Sequence, residues 1–276
     1  MRKILSLALA AISFLPAPAQ NQFEASAQDL FEEPAQDQFR PDNRIEAYVS
    51  GSLVSQYMWR GIDMAGPSLQ PEVNIAWRGL SLDIASSIPF DKEDIKDIDV
   101  TLSYTLAGFN IGVIDYWTSG VDPRERYFYY SDKADCPHQL EANIGYSCKY
   151  FSLQAYTMVY GNDYKIDGKR AYSTFIELGV PFRLGGLDWD LRAGITPMES
   201  AGTTYQEQVI TETGKTKTYT RGDWVYGESF TCNMASLRAT KQLEFKHFQM
   251  PIFVELHTNP YLQRANLVLG ISFNSL

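Results

Sequence analysis

Between Ala47 and Gly61 apolar and polar positions alternate. Ala47, Val49, Gly51, Leu53, Ser55, Tyr57 and Trp59 share one face, which is small or apolar and ends in two aromatics. Tyr48, Ser50, Ser52, Val54, Gln56, Met58 and Arg60 share the other, which is mostly polar. A period of two is that of a β-strand, whose side chains point to opposite sides in turn. The pattern recurs along the chain. Leu69, Val73, Ile75 and Trp77 alternate with Gln70, Glu72 and Asn74. Ile98, Val100, Leu102 and Tyr104 alternate with Asp99, Thr101, Ser103 and Thr105. Leu187, Trp189, Leu191, Ala193 and Ile195 alternate with Asp188, Asp190, Arg192 and Thr196. Stretches 80–85, 109–117, 139–147, 151–159, 172–182, 250–257 and 266–274 obey the same rule, and 224–237 is the least regular. About twelve strands are predicted, or ten if 224–237 pairs otherwise. In 109–117 the parity puts Asp115 among apolar neighbours, which predicts a bulge there or a position above the membrane.

The connections fall into two sets. Arg78-Gly79, Ala107-Gly108, 148–150 and Gly185-Gly186 are short; 61–68, 88–97, 118–138, 161–170 and 198–223 are long and polar, and 259–262 is brief. Outer-membrane barrels have short periplasmic turns and long external loops. The alternation therefore predicts an all-β, transmembrane, antiparallel up-and-down β-barrel over residues 45–276, with an even strand number and both termini periplasmic. Loop 118–138 is expected to prolong its two strands above the membrane. Aromatics give a further test. Tyr57, Trp59, Trp117 and Tyr172 are expected to face outward at the loop ends; Trp77, Tyr104, Tyr146, Phe151, Phe182 and Trp189 face outward near the turns. Two aromatic girdles around an aliphatic band match a lipid interface. A soluble β-sandwich shares the alternation but explains neither the girdles nor the loop asymmetry.

The segment before the strands agrees. Arg2 and Lys3 precede an apolar run, Ile4 to Leu15, and Pro16-Ala17-Pro18-Ala19 supplies a small-residue cleavage site. Residues 1–19 read as a secretory signal peptide, too short for a membrane span. Residues 20–44 read as a disordered periplasmic linker: an octad beginning Ala19-Gln20, Ala27-Gln28 and Ala35-Gln36 brings one Phe per repeat, too few for a core. Loss of Arg2 and Lys3 takes 24 basic residues to 22 against 33 acidic ones, a net charge of −11. That excess argues against nucleic acid as a partner and against docking on anionic lipid heads. Outer-membrane lipid and small polar solutes remain the expected partners.

The inward faces carry the candidate chemistry. Arg60, Glu72, Glu141, Glu177, Arg192, Glu255, His257 and Arg264 are the expected lumen and constriction residues, with Asp83, Asp99, Asp188 and Asp190 beside them. Charges held between strand walls need partners or water. Register about Gly185-Gly186 places Glu177 near Arg192. Barrel closure is expected to gather Arg60, Glu72, Glu255, His257 and Arg264 near the external mouth. An excess of acids favours cations, so a weakly cation-preferring diffusion pore is expected. The alternatives are a closed structural or adhesive barrel, whose narrow bore side chains fill, and, behind both, a lipid-modifying enzyme. The three histidines, His138, His247 and His257, sit in no metal motif, and Gly-x-Ser-x-Gly is absent. No catalytic residue, metal or cofactor is therefore expected. Cys136, Cys148 and Cys232 leave at least one thiol unpaired, and Cys136 and Cys148, at opposite barrel ends, are not expected to bridge.

Ser55-Gln56-Tyr57-Met58-Trp59-Arg60-Gly61 resembles the opening signature of the TorF-like porin family. Gly161-Asn162-Asp163-Tyr164, Ala171-Tyr172-Ser173-Thr174 with Glu177, Gly194-Ile195-Thr196-Pro197 and Asn259-Pro260 are similar to later parts of it. The resemblance spans about residues 47–274. It implies an outer-membrane barrel with a pore role and brings no catalytic residues. The chain departs from many such barrels in ending on Leu276 rather than an aromatic, with Phe273 nearby.

Overall fold

The two faces of the strands exchange the roles they have in a soluble protein. Outward Val73, Ile75, Ile84, Leu102 and Leu269 are exposed, whereas inward Asn74, Ser81, Ser103 and Ser152 are buried. Apolar side chains outside and hydroxyls and amides inside suit a wall between lipid and a polar interior. The computed structural model describes residues 44–122, 124–131, 135–210, 216–243, 245 and 248–275. The predicted signal peptide, the linker up to residue 43 and His247 lie outside the described residues.

In chain order the strands are β1 (Glu46–Val54), β2 (Tyr57–Trp59), β3 (Ile62–Ala65), β4 (Ser68–Trp77), β5 (Leu80–Pro89), β6 (Asp97–Leu106), β7 (Phe109–Thr118), β8 (His138–Ser147) and β9 (Ser152–Tyr160). They continue as β10 (Thr174–Leu184), β11 (Leu187–Thr196), β12 (Gly202–Ile210), β13 (Thr216–Trp224), β14 (Thr231–Lys241), β15 (Phe248–Gln249), β16 (Ile252–Asn259) and β17 (Arg264–Ser275). Twelve of them form one antiparallel barrel in the order β1-β4-β5-β6-β7-β8-β9-β10-β11-β14-β16-β17. It closes through β1 on β17, from Ser50 opposite Asn274 to Val54 opposite Gly270. Closure leaves no edge whose backbone groups would meet lipid unpaired. β15 adds two residues to the end of β17, and β12–β13 is a separate hairpin within the predicted loop 198–223.

The predicted strand count is met, and the girdle at the short-turn end is in place. Trp77 and Tyr104 are exposed there, Phe182 stacks on Trp189 at 6.0 Å, and Tyr146 lies between Phe109 and Phe151. The long-loop end differs in four ways. The first strand does not run on to Gly61: it stops at Val54, and β2–β3 turns into the barrel. The irregular stretch 224–237 becomes β14, shifted to 231–241, because Trp224 belongs to β13. Loop 118–138 does not prolong its strands, for β7 ends at Thr118 and β8 begins at His138.

The fourth concerns Asp115 and Trp117, which face outward in unbroken register with β6. The loop folds back over that wall. The Tyr130 hydroxyl donates to Asp115 at 2.6 Å, His138 Nδ1 lies 2.8 Å from the same carboxylate, and Tyr130 stacks on the imidazole at 4.0 Å. Tyr127 packs on Trp117, which is buried instead of standing in a girdle. No bulge interrupts the β6–β7 register at Asp115, and the loop brings polar partners to its carboxylate. The loop has its own anchor: hydrogen bonds from Arg126 hold the Asp122 carboxyl down, to about 2.

Candidate functional site in the barrel lumen

The inward hairpin begins where β1 leaves the wall. Ser55 is still tied to β17, its N–H donating to the Leu269 carbonyl at 2.8 Å and its hydroxyl accepting from the Leu269 N–H at 2.9 Å. The chain then reverses at Arg60-Gly61, with φ of 49° and 83°. Positive φ at both central residues is the type I′ pattern that two-residue hairpins favour. Only glycine fits the second position: a Cβ on Gly61 would lie 2.2 Å from the Asn233 carbonyl oxygen. The tip is pinned to β16, since the Gly61 N–H donates to His257 Nε2 at 3.0 Å and the Asn259 amide donates to the Gly61 carbonyl at 3.2 Å. On the opposite side the Tyr57 hydroxyl donates to Asp97 of β6 at 2.9 Å, and the Gly66 N–H to Asp94 at 2.8 Å. The hairpin thus spans the bore from β6 to β16.

Arg60 lies at the centre of that span. Its Nη1 and Nη2 each donate to one oxygen of Glu141 at 2.6 Å, and they also reach the hydroxyls of Tyr226 at 2.8 Å and Tyr116 at 3.4 Å. The guanidinium carbon is 4.2 Å from the Tyr156 ring centre, 4.8 Å from Trp59 and 5.0 Å from Phe175. Side-chain exposure is 8% for Arg60 and 0% for Glu141, so the pair is largely removed from water. A bidentate contact satisfies both carboxylate oxygens, which is the condition for such a pair to persist away from water. Phe175 fits beneath it because Gly194 is opposite, where a Cβ would approach the ring to 2.3 Å. Tyr226 is held from the long-loop end: the Ser200 hydroxyl accepts its N–H at 3.0 Å, and Ser173 joins Asp163 to the Ala201 N–H. Phe175, Tyr226 and Met234, with Trp59, Ile62 and Tyr156 against them, make an apolar layer within the lumen.

On the short-turn side of this layer lies a cavity of about 500 Å³. Two ion-pair groups occupy one wall. Arg192 bonds Asp190 at 2.5 Å and Glu177 at 3.3 Å; Arg238 bonds Glu255 at 2.7 Å, and Glu255 lies 3.3 Å from His257 Nδ1. The facing wall is acidic. Glu72 accepts from Ser50 at 3.3 Å, Asn74 donates to Asp83 at 3.2 Å, and Asp99 follows on β6. Glu72 Oε1 and Asp99 Oδ1 are buried with no hydrogen-bond partner among the described residues.

The predicted lumen set is therefore divided. Arg60, Glu141, Glu177, Arg192, Glu255 and His257 face the interior, and the expected Glu177–Arg192 contact forms. The expected cluster of Arg60 with Glu72, Glu255, His257 and Arg264 forms only in part: His257, paired with Glu255, meets the Arg60-Gly61 turn. Glu72 stands on the acidic wall, and Arg264 is exposed at the start of β17. Tyr57 and Trp59 are not interface aromatics: the turn at Ser55-Gln56 carries both inward, where Trp59 meets Tyr116 and Tyr226 at 5.8 Å. Trp77 and Trp189 keep their predicted outward places. Tyr116 is readable as inward by parity on β7, whereas Arg238 lies just beyond the irregular stretch 224–237 and no sequence signal links Tyr226 to Arg60. The three cysteines are free. Among the described residues no cluster of His, Cys, Asp or Glu is arranged to hold a metal.

A closed antiparallel barrel with an aliphatic outer belt is a β-barrel of the outer-membrane type. No protein-family model and no curated sequence matches the chain. Among solved structures it is similar to outer membrane phospholipase A from Escherichia coli, at 11% identity and TM-score 0.36 over 83% of this chain and 92% of that one. It is similar to CdiB from Acinetobacter baumannii, at 9% identity and TM-score 0.34 over 84% and 60%, and to Salmonella typhi OmpF, at 7% and 0.29 over 84% and 98%. Likenesses this low carry no functional argument.

Proposed function

We propose that the protein is a gated outer-membrane channel for small polar solutes, with a weak preference for cations and with the 57–65 hairpin as its gate. The termini and short turns face the periplasm. The supporting observation is the composition of the lumen. The hairpin packs Trp59 and Ile62 into a small apolar layer and is otherwise tied across the bore by hydrogen bonds and the Arg60–Glu141 ion pair, above a cavity with an acidic wall. Carboxylates with free lone pairs attract cations and repel anions. The TorF-like resemblance agrees with a pore role, and no enzymatic role is proposed. A second reading, a closed structural barrel, draws on the burial of Arg60 and Glu141.

Planar-bilayer recording separates the two. The intact protein should show rare openings, and replacing residues 56–66 by a Gly-Ser linker of equal length should give steady unitary current, larger for potassium than for chloride. Absence of current from both proteins supports the closed barrel; chloride preference removes the acidic-wall argument.

A further inference from the structure

The contacts around Arg60 divide by origin. Trp59 travels with Arg60 on the hairpin. Every other group belongs to the barrel or its loops: Tyr116 to β7, Glu141 to β8, Tyr156 to β9, Phe175 to β10 and Tyr226 to the segment after β13. Apart from the hairpin these groups present a carboxylate, two phenol hydroxyls and two aromatic faces. We infer that the wall of the barrel is a binding site for guanidinium solutes, and that Arg60 is an internal ligand occupying it.

The chemistry selects this class over other cations. A carboxylate that accepts two parallel N–H bonds matches a planar fork, whereas an ammonium is a point charge without two parallel coplanar donors. Rings above and beside the plane suit a flat, weakly hydrated cation. Both phenol hydroxyls have acceptor lone pairs for the remaining N–H groups. Access comes from the cavity: Arg60, Tyr116 and Tyr156 form part of its lining, as do Glu72 and Asp83, which draw cations into the same space. A solute with a guanidinium head competes with Arg60 for Glu141, and occupation of the site by the solute releases the Arg60 side chain, leaving the hairpin tip on its His257 and Asn259 bonds. The inference rests on the channel reading for its purpose but not for its geometry.

The test uses the full barrel carrying Arg60→Ala, with folding verified by gel mobility before and after boiling. Ethylguanidinium and its neutral analogue ethylurea are titrated into it by calorimetry. Ethylguanidinium should bind saturably and ethylurea should not. Adding Glu141→Gln should weaken ethylguanidinium at least about tenfold, the scale of one lost charged hydrogen bond. Lack of saturable binding, or binding that Glu141→Gln leaves unchanged, overturns the inference. If Arg60→Ala folds poorly, its folding yield into liposomes is measured with each compound: recovery with ethylguanidinium alone supports the site, and recovery with neither overturns it. Binding in a barrel that never conducts keeps the site and removes the channel reading; conduction without binding does the reverse.

Discussion

Two turns in this barrel share the sequence Trp-Arg-Gly followed by an aliphatic residue. Trp59-Arg60-Gly61-Ile62 and Trp77-Arg78-Gly79-Leu80 both reverse a hairpin, with φ of 49° and 83° in the first and 50° and 82° in the second. In both, the arginine lies over the preceding tryptophan, at 4.8 Å and 5.1 Å. Their surroundings are opposite. Trp77 and Arg78 are exposed at the short-turn end, while Trp59 packs inside the lumen and Arg60 is bound by Glu141. The tetrapeptide specifies a turn and a cation–π contact. It does not specify whether the guanidinium is solvated or buried, because that depends on where β1 leaves the wall and on what β7 to β10 present to it.

Mutations at the two turns should separate the shared part from the unshared. The largest effect is expected from Glu141→Ala, which strands the Arg60 charge without its buried partner and should cost about 3–5 kcal/mol in urea-titrated folding into liposomes. A loss under about 1 kcal/mol, the range of exposed pairs, would mean that Arg60 is solvated like Arg78. Next come the glycines. A Cβ would lie 2.2 Å from a carbonyl oxygen at Gly61 and 2.4 Å from one at Gly79. Gly61→Ala and Gly79→Ala should therefore cost similar amounts, about 1–3 kcal/mol each, by strain at positive φ. A large inequality in the same assay would break the claim that the turns are locally equivalent. The smallest effect is expected at Arg78→Ala: loss of an exposed cation–π contact costs about 0.5–1 kcal/mol, and single-channel conductance should stay as in the parent protein.

Much of this was legible along the chain. Alternation located the barrel strands, and turn lengths ordered them. The inward parity of Glu177 and Arg192 led to an ion pair that forms. The first strand is the instructive exception: alternation continues through Tyr57 and Trp59 and masks an Arg-Gly turn signal that recurs eighteen residues later at Arg78-Gly79. Period two is common to a wall strand and to a hairpin arm, so it cannot separate them. At Asp115 the outward parity holds and no bulge interrupts the register, but its partners Tyr130 and His138 come from a loop whose path has no periodicity to read.

The sequence by itself determined a wall of about twelve strands, the lipid-facing belt and the turn-end girdle. Each follows from local steric and hydrophobic patterning, which is fixed within a few residues. Only the tertiary structure decided that the first reversal enters the bore, that Glu141 is the partner of Arg60, and that Tyr226 closes over the pair. Those contacts join residues 81 and 166 positions apart, and no local preference selects one acid among the many that the inward faces offer. Selection comes from barrel closure, which sets the angular position of each strand and places the few side chains able to meet a buried guanidinium.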